Sequence, residues 1–299
     1  LLDQADQLRQ LARDTALRTT RHPAEVAVMV VSGARPGEGT STVSHHLATQ
    51  LALLGRRVVL VDANLLNCGL TRQLVPTAAS AATRAHLGTV LAGKHTASEA
   101  LVTLRQRLQF LPGGLNDGFP ATDAAATSRL VAELRSLSGR GDVVVVDAAA
   151  GMTPWADRLW GIASQAMVVC RRDTASVRAA YGVLKLADQG HRKRGVRVLI
   201  NGCQDVPQAE RAGERIARTA GEFLSMRLEP TSCLPMAESR VLRWTPGPLI
   251  GDVPLAGHRA ALRGARSSIE GPSAQEASGW LRAVRLLAAD LLCTWEAAE

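Results

Sequence analysis

Val26-Ala27-Val28-Met29-Val30-Val31 runs without a break into Ser32-Gly33-Ala34-Arg35-Pro36-Gly37-Glu38-Gly39-Thr40-Ser41-Thr42. The first six residues are apolar and largely β-branched, the composition of a strand buried on both faces. Gly37 and Gly39 let the backbone turn tightly and approach a ligand closely. Thr42–Leu54 then carries apolar residues at helical spacing. Strand, glycine loop and helix N-terminus, in that order, aim backbone N–H groups and a helix dipole at an anion, above all a phosphate. Ser41 or Thr42 would supply a hydroxyl for Mg²⁺. An ordinary Gly-Pro turn is the bland alternative; the place directly after the first strand favours the phosphate loop.

Working outward, short apolar runs recur at Val58–Val61, Leu108–Leu111, Val143–Val146, Met167–Cys170 and Val196–Ile200, with a weaker one at Leu228–Leu234. Thr127–Leu137 and Thr174–Leu186 between them repeat their apolar residues at helical spacing. Buried strands alternating with helices predict an α/β domain with a doubly wound, mostly parallel sheet from about residue 24 onward.

Two of these strands end in acid. Val61 is followed by Asp62-Ala63-Asn64-Leu65, and Val146 by Asp147-Ala148-Ala149-Ala150-Gly151. At the carboxyl ends of parallel strands, Asp62 and Asp147 would flank the glycine loop where Mg²⁺ and an attacking water belong. Either one alone reads equally well as a strand-end cap. Asn201, directly after Val198-Leu199-Ile200, is placed to read a base edge or to cap the strand, and spacing does not choose between them.

Composition narrows the rest. The 299 residues are 46% hydrophobic and carry no run of about 18 uncharged apolar residues, so a large core is expected and a membrane span is not. The polar start from Asp3 onward is not expected to be a signal segment, and an opening Leu1 in place of Met suggests a processed, trimmed or alternative-start chain. Five scattered cysteines without a CxxC pair fit a reducing cytoplasm and argue against zinc or a disulfide framework. The net charge is +8, yet only Lys94, Lys185 and Lys193 among the 35 basic residues are lysines. Arginines are spread along the chain, and the dense run His191-Arg192-Lys193-Arg194 has no interleaved aromatics for base stacking. It reads as a solvated turn, and DNA is not an expected partner.

The phosphate loop and the strand-end residues resemble the MinD/ParA family of deviant P-loop ATPases. The whole chain looks like its flagellar, MinD-like branch of FlhG/FleN proteins. The resemblance runs in order through Asp62–Leu65, Leu108–Gly114, Asp147–Gly151, Ala175–Tyr181 with Leu184-Lys185, and Asn201. Its most specific piece is Asp3-Gln4-Ala5-x-x-Leu8-Arg9, which looks like that branch's DQAxxLR activator helix. The resemblance implies ATP/ADP with Mg²⁺ as cofactor. Arg35, Gly37, Glu38, Gly39, Thr40, Ser41, Thr42 and Asn201 would hold the nucleotide, and Ser41, Asp62 and Asp147 the metal. It also implies that Asp3, Gln4, Ala5, Leu8 and Arg9 bind a signal-recognition-type GTPase of the FlhF kind, Gln4 orienting its water. Flagellar basal-body or regulator proteins are further implied partners.

The departures carry equal weight. Ala34/Arg35 and Thr40 stand where the family places its two lysines, and Asn64 where it places the second Asp of its catalytic pair. Removing one such electrostatic contact typically costs about 2.7–4 kcal/mol of barrier. The expected protein is therefore a scaffold with weak nucleotide binding, slow or lost hydrolysis, and a mostly monomeric state. Two alternatives remain: a ParA-like DNA-partition protein, or a relative of the polysaccharide-type tyrosine kinases, whose loop Pro36-Gly37-Glu38-Gly39 resembles.

The expected organisation is an activator helix over residues 1–20 and a MinD-like domain over 21–299, with an amphipathic helix at 276–297. On that last helix Trp280, Leu281, Val284, Leu287, Leu291, Leu292 and Trp295 share a broad face. In the family this helix anchors to membrane. Here Asp290, Glu296 and Glu299 favour packing over anchoring, and a cytoplasmic protein with the inner membrane face as an alternative location.

Overall fold

The computed structural model describes residues 27–75, 85–114, 124–137, 141–188, 195–204, 206–236 and 279–298. Each apolar run forms a strand: β1 (Ala27–Gly33), β2 (Val58–Asp62), β4 (Leu108–Leu111), β5 (Val143–Ala150), β6 (Gln165–Cys170), β7 (Gly195–Cys203) and β8 (Glu229–Pro235). One further strand, β3 (Val102–Arg105), was not expected. It pairs antiparallel with β4 at the sheet edge, and its pattern of partly buried and exposed residues gives no apolar run to detect.

The eight strands lie in the order β3-β4-β2-β5-β1-β6-β7-β8. Every neighbouring pair other than β3–β4 is parallel. The order reverses direction around β1, so the loop after β1 sits at the switch point where ligands of open α/β sheets bind.

Alternation along each strand feeds two cores. Val28 and Val30 of β1 face one side; Met29 and Val31 face the other. The first core is closed by α3 (Leu87–Leu91), α5 (Ala124–Ser136), α6 (Pro154–Ile162), α7 (Thr174–Asp188) and α8 (Val206–Leu224). The second is closed by α1 (Thr40–Leu53), α2 (Gly69–Leu74) and α9 (Gly279–Ala298). The four-residue α4 (Ala97–Ala100) is fixed by a reciprocal cap between Thr96 and Glu99.

Helix α9 packs on the sheet of its own domain. Trp280, Val284, Leu287, Leu291 and Leu292 are buried in the second core, and Leu281 and Trp295 pack beside them. Asp290 pairs at 2.7 Å with Arg197, itself buried on β7. The apolar face is thus covered by the protein's own α1 and β8, as a packing helix requires. Among the described residues no helix is long and apolar enough to cross a membrane. The activator segment at residues 1–20 lies outside the described residues.

Candidate nucleotide site

The loop after β1 is built from the strand outward. Ser32 is buried and its Oγ accepts a hydrogen bond from Trp160 Nε1 at 2.9 Å. The Ala34 N–H continues the ladder onto Val169 O at 2.7 Å. Gly37 and Gly39 then take φ of 84° and 89°, the left-handed region open to glycine. Gly39 is the N-cap of α1, so no side chain there claims the first helical N–H groups. No acidic residue occupies the first turn either. The mouth of the loop therefore presents unclaimed backbone donors at the positive end of a helix. Thr40, where a lysine would extend over a phosphate, is instead buried with its Oγ1 against Gly33.

Residues far away in sequence clamp this loop. Asn201 at the end of β7 donates from Nδ2 to Glu38 O at 2.8 Å, and its Oδ1 accepts from Trp280 Nε1 at 3.4 Å. Its amide therefore fastens the loop to α9. Glu38 turns inward, 3% exposed, where its Oε1 accepts from Ser176 Oγ at 2.6 Å. Arg171 donates to Gly37 O at 3.3 Å and brings Nε to 3.9 Å from Glu38 Oε2. Arg35 lies 3.6 Å from Asp173, the residue that also accepts from Ser176. The loop's one cation is thus directed toward the start of α7.

Asp62 and Asp147 are brought together as expected, directly opposite each other on β2 and β5 and both fully buried. Asp62 is well supplied with donors: Oδ2 accepts from the Thr71 N–H at 2.8 Å and the Thr71 hydroxyl at 2.7 Å, and Oδ1 from the Asn64 N–H at 3.2 Å. Burial raises its pKa against the pull of those bonds. Asp147 has less support. Its Oδ1 receives a long bond from the Ala149 N–H at 3.4 Å, and its Oδ2 is buried without a partner. Burial first, and the Asp62 carboxylate second, push its pKa up to about 7, with the Ser41 hydroxyl pulling the other way. An orphaned carboxylate oxygen beside a hydroxyl at a phosphate loop is a donor set that fits Mg²⁺. Asp62, Asp147 and Ser41 would hold the ion, which would supply charge neutralisation for a bound polyphosphate.

The structure thus gathers Arg35, Gly37–Thr42, Asp62, Asn64, Asp147 and Asn201 around the carboxyl ends of β1, β2, β5 and β7. Asp3, Gln4, Ala5, Leu8 and Arg9 lie outside the described residues. Sequence reading missed Thr71, Arg171, Asp173, Ser176 and Trp280. The signal available for two of them was Asp173 three residues before Ser176, an N-cap spacing at the start of a helix.

A family model described as cellulose biosynthesis protein BcsQ matches residues 26–208, from β1 into α8. The chain belongs to this family. The BcsQ-family chain is also 29% identical over 229 residues to the antiactivator FleN of Pseudomonas aeruginosa, covering 73% of this chain and 76% of that one. Its fold matches the cell-division ATPase MinD of Pyrococcus furiosus with a TM-score of 0.62 at 17% identity, over 90% of this chain and 99% of that one. MinD of Aquifex aeolicus matches with a TM-score of 0.59 at 22% identity, over 89% and 96%. The expected P-loop ATPase fold of the MinD/ParA type is therefore the fold observed.

Proposed function

We propose that this chain is a MinD-like regulator of flagellar number or placement with a degenerate nucleotide switch. It acts through residues 3–9 on an FlhF-type GTPase. The observation that carries the switch reading is the state of the phosphate loop: its backbone is shaped for a polyphosphate, yet Thr40 is tucked against Gly33 and Arg35 faces Asp173. Such a site binds Mg-ATP or Mg-ADP through N–H groups and the Asp147 side while lacking a cation over the reaction centre. Similarity to FleN and the Asp3-Gln4-Ala5-x-x-Leu8-Arg9 pattern support the flagellar assignment. Solved relatives of the same fold are a MinD complexed with Mg-ADP and a McdA–ATP complex, which supports the choice of nucleotide.

A peptide covering Leu1–Thr20 should accelerate GTP hydrolysis by the cognate GTPase, Gln4→Ala should abolish the acceleration but not the binding, and Leu8→Asp should abolish both. An inert peptide, together with early melting of a chain that starts at Pro23, would show that the segment only packs on its own domain.

The family match favours a second reading. A model described by cellulose biosynthesis spans the loop, both acids and Asn201. The same switch would then serve a polysaccharide-secreting assembly, and the GTPase experiment would be negative while nucleotide binding persisted.

A further inference from the structure

Three of the five cysteines meet at one place. Cys170 ends β6 opposite Ile200 of β7, and Ile200 in turn stands opposite Cys233 of β8. All three cysteines face the core beneath α7 and α8. The β7–β8 register slips between Ile200 and Cys203, where Gly202 takes φ of 73°. That kink folds the Cys203 thiol back so that it donates to Ile200 O at 3.3 Å, with the Cys233 thiol within hydrogen-bond reach of its sulfur. Cys203 is buried and Cys233 is partly exposed, so solvent reaches the pair from the β8 side.

The surroundings make the two sulfurs unequal. The Cys233 thiol and the Leu234 N–H bond to Cys203, and the Arg172 guanidinium adds positive charge, so the Cys203 pKa falls below the usual thiol value. Arg172 is held in place by Gln208 at 2.6 Å. Cys233 moves the opposite way, raised chiefly by its bond to Cys203 and by burial. Two thiols in contact on neighbouring strands, one buried and one reached by solvent, are the arrangement of a dithiol that can close to a disulfide.

The geometry points to Cys203 and Cys233 as a dithiol modification site that hydroperoxides oxidise to an intramolecular disulfide. The Cys203 sulfur attacks the peroxide, forming an S–O bond as the O–O bond breaks, and the displaced alcohol or water leaves with the thiol proton. The Cys233 sulfur then attacks that sulfenic sulfur, forming S–S as S–O breaks, and its proton leaves with the departing oxygen as water. Two thiols lose two electrons and two protons in all, and one peroxide accepts them. Cys203 lies two residues beyond Asn201, whose amide holds Glu38 O. Closing the bridge therefore pulls on the strand end that fastens the loop.

The test uses the full chain with hydrogen peroxide, followed by denaturation and thiol counting. Five thiols should fall to three, and dithiothreitol should restore them. Tryptic digestion should yield Val198–Arg211 joined to Leu228–Arg240 before the exposed Cys293 is modified. Cys233→Ser should lose the link and leave a dimedone-reactive Cys203, whereas Cys170→Ser should keep it. Amide hydrogen exchange over residues 33–42 should change on oxidation and revert on reduction. Five thiols surviving peroxide, or a link through Cys293 or between chains, would overturn the site. A link with unchanged loop exchange would overturn its connection to the loop. The mapping on the unaltered chain needs no variant to fold.

Discussion

Asp62 and Asp147 stand opposite each other in register on neighbouring parallel strands, and solvent reaches neither. Two carboxylates that close cannot both ionise cheaply without a cation between them. Asp62 is the better supplied with donors, so the burden falls on Asp147.

The first consequence is a pH dependence. With its folded pKa raised to about 7 from an ordinary 3.8, Asp147 keeps a proton that the unfolded chain has already released. Stability should therefore fall as pH rises from about 4 through 7, by a few kcal/mol at most. Melting temperatures of the chain and of Asp147→Asn, compared across that range, should differ by this decline: the variant should gain stability with rising pH relative to the chain. Added Mg²⁺ should raise the melting temperature more at pH 8 than at pH 5.5. A slope unchanged in Asp147→Asn would assign it to another group.

His45 produces the opposite limb. Burial, then His46 and Arg105, lower its pKa from 6.5 to about 3. The folded chain keeps His45 neutral while the unfolded chain protonates it, so stability present above pH 6.5 is lost as pH falls toward 3. His45→Gln should remove part of this acid limb in urea titrations at pH 4.5, relative to its own stability at pH 7.5. The two limbs overlap between about pH 4 and 6.5, where their opposite slopes largely cancel, so each is read as the difference between the chain and its own variant.

Ala149 holds φ of 67° one residue beyond Ala148, in a region that costs a residue with a Cβ roughly 1 kcal/mol. Ala149→Gly should relieve that strain and offset part of the gain through greater unfolded-state entropy. The expected net effect is a stabilisation of about 0.5 kcal/mol, read from chemical denaturation.

Turnover tests the switch reading. Phosphate release from Mg-ATP should stay well below the ~1 s⁻¹ at the low end of ordinary enzymes. Thr40→Lys combined with Asn64→Asp should raise it. Because Thr40 is buried against Gly33, Asn64→Asp alone serves as the control that leaves the packing intact.

Much of this was written locally. Val143–Val146 and Val58–Val61 announce central strands because both of their faces are buried, and Gly37 and Gly39 announce the loop. Helix α8 was missed although its charged and buried faces contrast sharply, because the buried face is Ala209, Ala212, Ile216, Ala220 and Leu224, with only two large apolar side chains. The clamp on the loop was illegible for a different reason. Asn201 and Glu38 are 163 residues apart, and Ser176 and Glu38 are 138 apart. No spacing rule links such pairs; only the strand order that sets β6 beside β1, and β7 beside β6, does so.

Helix α9 has a mechanical meaning. Trp280 sets its indole edge-on to His46 of α1 at 5.0 Å while its N–H reaches Asn201, so one ring leans on both the loop's helix and the loop's tether. Detaching α9 to lie on lipid would return Trp280, Val284, Leu287 and Leu291 to other surroundings, at about 1.5–3 kcal/mol for each one left in water. Domains of this kind are held by only about 5–15 kcal/mol in total. A bilayer recruiting this helix would thus compete directly with the folded state of the phosphate loop, and membrane residence and an ordered loop would be alternatives rather than companions.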